Sequence, residues 1–149
     1  MCCRLTEVPE LRKPLGRWCD HCDKGKGCKI WHVRPGSCRS YQCLWHVDKT
    51  LPPDLRPDRS KVIFERLGKL PVFLALVNHG CAYAIGKPKI GTVIRQLLAM
   101  GFSVAVSIDS GRQKRIWCAA GTTEADVWQM ISQYASEAGV KNGSPIIRN

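Results

Sequence analysis

The chain has 149 residues, enough for one ordinary domain or for a small stapled module beside a compact core. Apolar residues make up 44% and charged residues 23%, a globular balance, and no run approaches the roughly 18 uninterrupted apolar residues of a membrane helix. Lys and Arg number 23 against 12 acids, a formal net charge of +11 that favours an anionic partner, nucleic acid or an acidic protein.

The chain opens Met1-Cys2-Cys3-Arg4 with no apolar h-region, so no signal peptide is expected and the protein is assigned to the cytoplasm. Without export, nine cysteines point to metal binding or redox chemistry rather than to a disulfide scaffold. Seven of the nine lie between positions 2 and 43. Residues 1–47 are rich in Cys, Gly, Pro and charge and show no sustained helical or strand period. They read as loops and short turns that need a metal crosslink, because they cannot bury enough apolar surface to fix themselves. Residues 48–61 carry Pro52, Pro53 and Pro57 and read as a connector without regular structure.

Residues 62–149 read as a compact unit, making the whole an α+β protein: an irregular cysteine-rich metal-binding module followed by a strand-helix-strand-strand-helix domain. The apolar run 72–77 suits a strand buried on both faces. From Pro88 to Met100, Ile90, Val93, Ile94, Leu97 and Leu98 fall at helical spacing, with Pro88 fitting a first turn and Gly101 the residue after the end. Residues 102–109 read as a strand, parallel to the first through a right-handed crossover. Asp109-Ser110-Gly111-Arg112 signals a turn, and 115–119 returns as a hairpin partner. Thr123 and Asp126 form a capping box with Asp in place of Glu, followed by a stripe of Val127, Met130, Ile131, Tyr134, Ala135 and Ala138 that ends at Gly139.

The chemistry sits in the module. Cys19-Asp20-His21-Cys22 has the spacing that lets two sulfurs reach one tetrahedral ion from a single turn. Gly25 and Gly27 allow close backbone approach, and Cys28 is placed as a third ligand. Cys38 and Cys43 supply further thiols. Cys2 and Cys3 are adjacent, so on an extended backbone their side chains diverge. The metal-ligand candidates are therefore Cys2, Cys3, Cys19, Cys22, Cys28, Cys38 and Cys43. Lys24, Lys26, Lys29, Arg34 and Arg39 lie among them, either favouring thiolates or forming a solvated loop surface. His32, four residues after Cys28, is a better substitute ligand than His21. His46 and His79 lack a cysteine at useful spacing, and Cys81 and Cys118 read as buried apolar residues. Trp18, Trp31 and Trp45 are expected to form an apolar shell that excludes water.

Cys2-Cys3, the C-x2-C-x5-C of 19–28, and Arg34-Pro35-Gly36-Ser37-Cys38-Arg39-Ser40-Tyr41-Gln42-Cys43 resemble a bacterial cysteine-cluster family described as a zinc- or iron-chelating domain. Its signature opens C-x2-C-x2-C-C and closes R-P-x2-C-R-x-[FY]-x-C. The likeness covers about residues 2–65, including Leu55-Arg56-Pro57-Asp58-Arg59-Ser60. This chain carries only the last two cysteines of the opening, so one tetrahedral site is expected before two. The resemblance implies chelation of zinc or iron and brings no reaction with it. No nucleophile elbow, zincin motif or P-loop is present, and Asp109 and Asp126 have turn and cap explanations, so a non-catalytic protein is expected. An iron or iron–sulfur redox protein and a basic, zinc-stabilised nucleic-acid-binding module are the alternatives.

Overall fold

The computed structural model describes residues 1–108 and 112–137. The cysteine-rich segment is built from elements of one turn or less. Cys2–Leu5 (α1) is a single helical turn, and Pro9–Leu11 a 3-10 turn. Cys22–Asp23 (β1) and Gly27–Cys28 (β2) form a minimal antiparallel hairpin. A 3-10 turn at Trp31–Val33 leads to the short helices Gly36–Ser40 (α2) and Leu44–Val47 (α3).

The proline connector is more ordered than expected. Pro53–Leu55 is a 3-10 turn and Pro57–Ser60 (α4) a helical turn. Pro53 and Pro57 stand at first helical positions, where a missing N–H has no partner to lose, and Pro52 precedes the first turn in extended conformation. Lys61 closes α4 in a left-handed conformation, φ 69°.

Val62–Arg66 (β3) is a strand that the sequence pattern does not announce. Val62 and Phe64 face one apolar cluster and Ile63 the other, so both faces are covered and no alternation survives. Val72–Val77 (β4) and Ser103–Ile108 (β5) are buried along their whole length and form the centre of a four-stranded sheet of order β3-β4-β5-β6. β3 runs antiparallel to β4, β5 parallel to it, and Gln113–Trp117 (β6) antiparallel to β5. The expected parallel pair and hairpin are thus present. The expected turn residues Asp109–Gly111 lie outside the described residues, as do Ala138 and Gly139.

Pro88–Ala99 (α5) buries Ile90, Val93, Ile94 and Leu97 against one sheet face. Gly101, φ 83°, lets the Phe102 N–H return to the Leu97 carbonyl at 2.9 Å, a Schellman closure. Glu124–Glu137 (α6) buries Val127 and Ile131 on the opposite face. Its capping box is reciprocal: Thr123 N–H donates to Asp126 Oδ2 at 2.8 Å, and Asp126 N–H to Thr123 Oγ1 at 3.2 Å. Ser103, 1% exposed, accepts the Ala119 N–H on its Oγ at 3.0 Å. Ser103→Ala leaves that buried donor unsatisfied and is expected to cost about 1–3 kcal/mol in urea denaturation.

The edge strand β3 positions the cysteine segment. Leu44 and Leu55 pack with its Val62 face, and Leu5, Tyr41 and Cys43 with its Ile63 face. The module wraps the sheet edge that would otherwise be open to pairing.

Candidate metal centre

The local backbone brings the cysteines together segment by segment. Cys2 and Cys3 sit on a helical turn, not on extended chain, so their side chains are not opposed. The Cys3 thiol donates to the Cys2 sulfur and also meets Cys22. Cys19 N–H donates to the Cys3 carbonyl at 2.8 Å, and Cys22 N–H to the Cys19 carbonyl at 3.0 Å, closing the C-x2-C turn upon α1. The hairpin then sets Cys22 opposite Cys28. Gly25 and Gly27, at φ 89° and 140°, make a reversal that residues with a Cβ resist. Glu10 anchors the helix bearing Cys38: its carboxylate accepts the Ser37 N–H at 3.0 Å and the Ser37 hydroxyl at 2.7 Å. Those bonds hold the Glu10 carboxyl below its usual value. Cys43 stands at the start of α3.

These segments surround one cavity of about 580 Å³. Cys2, Cys3, Cys19, Cys28, Cys38 and Cys43 line it, and Cys22 reaches the group through Cys3. Trp31, Tyr41, Trp45 and Ile63 supply apolar wall. Trp18 stands off it, with the cations of Arg4 and Lys24 over its ring at 5.7 and 5.3 Å, and of the two tryptophans that line the cavity Trp31 is itself 57% exposed, so it does not shield the cavity from water. The histidines change places with expectation: His21 and His46 line the cavity, while His32 is exposed and off it. Cys81 and Cys118 pack against opposite faces of the sheet and do not join the group. As placed, no three Cys, His, Asp or Glu side chains among the described residues are close enough to share one ion. All nine cysteines are free thiols.

No family model, curated protein or solved structure matches this chain. The function must therefore be argued from the chemistry of the site.

The electrostatics centre on Cys2, Cys3 and Lys13. Donation from the Cys3 thiol draws the Cys2 thiol down to about 6 against the cost of burial, and pushes Cys3 upward. Burial also raises the Cys38 thiol. Of the basic residues singled out in the sequence, Lys24, Lys26 and Lys29 are exposed. Lys26 pairs with Asp23 at 3.8 Å, and the Arg34 guanidinium lies 3.6 Å from the Trp31 ring centre. Lys13 is the buried cation of this segment, its Nζ donating to the carbonyls of Arg4 and Thr6. Burial lowers its ammonium, and Cys19, Cys3, Cys2 and Cys38 oppose that shift. Nothing in its local pattern marks it, since Arg12-Lys13-Pro14 reads as ordinary charged loop.

Behind the cavity, the Tyr41 hydroxyl faces the Glu65 carboxylate without closing a hydrogen bond, leaving Tyr41 Oη and Glu65 Oε2 buried and unpartnered. Burial raises both groups. A carboxyl raised in the folded state holds its proton at pH values where the unfolded chain has lost it, so Glu65 erodes stability as pH rises past the ordinary glutamate value. Glu65→Gln is expected to be more stable than the parent at pH 7, with the advantage gone by about pH 4. Parallel urea melts at the two pH values check this.

A thiol set of this kind suits a thiophilic divalent ion in donor type and number. The free state of the sulfurs agrees with that use. Their separations do not yet make a coordination sphere, so an ion would have to draw its ligands inward.

Proposed function

We propose that this chain is a non-catalytic metal-binding protein of the cytoplasm that chelates zinc through thiolates drawn from Cys2, Cys3, Cys19, Cys22, Cys28, Cys38 and Cys43. The supporting observation is that six of these thiols, from four separate segments, line one cavity, and the seventh touches Cys3. Zinc accepts tetrahedral sulfur coordination at roughly 2.3 Å and has no ligand-field preference to resist an irregular loop site. Four sulfurs close its sphere and leave no position for substrate. A reducing compartment keeps the thiols available.

The cavity favours one second reading. At about 580 Å³ it far exceeds the roughly 30 Å³ of one water molecule, more room than a single ion fills. An iron–sulfur cluster held by the same cysteines would use that space and make the protein an electron carrier or redox sensor.

Titration of the reduced, metal-free protein with Co(II) tests the zinc reading. Strong visible absorption of tetrahedral cobalt–thiolate, saturating near one equivalent and bleached by zinc, is the expected result. Weak, octahedral-type absorption that zinc does not alter would contradict it.

A further inference from the structure

We infer that Cys22 and Cys28 form an oxidative modification site, a cross-strand dithiol that hydroperoxides convert to a reversible disulfide. Metal binding is not required for it. The two residues are direct partners in the β1–β2 hairpin. Just outside them, the Lys29 N–H donates to the His21 carbonyl at 2.8 Å. Residues 21 and 29 therefore make a hydrogen-bonded pair, and in an antiparallel ladder the next pair inward is not hydrogen-bonded. Cys22 and Cys28 occupy that position, where opposed Cα atoms stand roughly 4.5 Å apart and both side chains leave the same face. The reversal between them is held by the Lys26 N–H donating to the Asp23 carbonyl at 3.0 Å. A disulfide spans Cα separations of about 4.4–6.8 Å, so side-chain rotation brings the sulfurs together with little movement of either strand.

Both thiols are free and partly exposed, so a small oxidant reaches them. One thiolate sulfur attacks the hydroperoxide: the O–O bond breaks, an S–O bond forms, and the leaving alkoxide or hydroxide takes up a proton. The second thiolate then attacks the sulfenic sulfur, the S–S bond forms, and hydroxide leaves and is protonated to water. The two thiols supply both protons, and two electrons pass from sulfur to the peroxide. The Cα spacing lies at the short end of the disulfide range, which strains the bond and leaves it easily reduced, the property of a regulatory disulfide. Cys28 lines the cavity, so oxidation withdraws one of its thiols. Cys19 and Cys3 are the rival partners of Cys22, but no strand register holds either opposite it. Cys81 and Cys118 pack against opposite faces of the sheet and do not pair.

The test treats the reduced full chain with limiting hydrogen peroxide, in parallel with and without a metal chelator. Remaining thiols are alkylated, and the protein is digested with trypsin and mapped by mass spectrometry. Cleavage after Arg17, Lys24, Lys26 and Lys29 separates residues 18–24 from residues 27–29. The expected result, in either sample, is loss of two thiols per chain, the two peptides joined through Cys28, and recovery of both thiols with dithiothreitol. Cys19→Ser should keep the link and Cys22→Ser should abolish it. A disulfide within 18–24, or one joining Cys22 to the peptide that carries Cys3, would overturn the inference. So would oxidation in both samples to sulfinic acid without a disulfide, or a link to 27–29 that survives in Cys22→Ser and is lost in Cys19→Ser. The map of the parent needs no variant to fold, and failure of the zinc titration would leave its reading unchanged.

Discussion

Cys22→Ser should strip the chain of most of its metal and loosen residues 1–47 while the four-stranded sheet stays folded. Cys22 lies where three features meet: the C-x2-C turn, the hairpin register opposite Cys28, and contact with the Cys3 thiol. Serine keeps the size but removes the thiolate that a thiophilic ion needs. Loss of a direct ligand should exceed the roughly 10–100-fold penalty of losing a supporting partner. The sheet has its own clusters on both faces, built largely from β4, β5, α5 and α6, and these do not contain Cys22. Metal content by elemental analysis and protease sensitivity of the first 47 residues read the two effects separately. Unchanged metal content and thermal stability would remove Cys22 from the ligand set. Cys118→Ser is the control: its side chain packs against the sheet, and metal content should not change.

The second large effect is expected at Gly68, in the turn between β3 and β4. Its φ of 54° is left-handed, and a Cβ there would stand 2.7 Å from Cε2 of Tyr134. Tyr134 packs on the α6-side cluster, so its ring must shift to make room. The backbone term is about 1–2 kcal/mol and the crowding term about 1–3 kcal/mol. Gly68→Ala should therefore cost about 2–5 kcal/mol, read as a lower urea midpoint with an unchanged slope. Tyr134→Leu in the same background should recover the crowding part and leave the backbone part, giving a measurable coupling in a double-mutant cycle. Additive effects would place the clash elsewhere.

What was legible in the sequence follows from how each element is covered. β4 is a continuous apolar run and β5 one broken only by buried Ser103 and Ser107, because helices lie on both faces, and α5 and α6 carry a clear 3.6-residue stripe with a proline start or a capping box. β3 was hidden because its inward residues divide between two clusters, one completed by the cysteine segment itself, and that covering is tertiary. Three prolines in the connector signal irregular backbone, but Pro53 and Pro57 each begin a short turn. In the site, cysteine spacing identified the thiols that surround the cavity, but could not rank the histidines. His21 faces inward because the hairpin folds its loop over α1, a choice made by the Cys19–Cys3 backbone bond and not by sequence distance from Cys28. Lys13 and Glu10 were missed for the same reason. Each acts on residues outside its own turn, Lys13 upon the Arg4 and Thr6 carbonyls and Glu10 upon Ser37, and neither stands out from its neighbours by type or spacing.

Along the described residues no helix is long and apolar enough to cross a membrane, and the chain carries a formal net charge of +11. Its distribution around the cysteine segment is mostly committed locally, in Arg34 on Trp31, Arg4 and Lys24 on Trp18, and Lys26 with Asp23.

The most direct test of the central claim is elemental analysis, with a visible absorption spectrum, of protein purified without oxygen. One zinc per chain, or at most two, in a colourless sample is the result the thiolate-chelation account predicts. Iron with broad brown absorption would move the same cysteines to cluster chemistry, and metal-free protein after anaerobic handling would contradict the account outright.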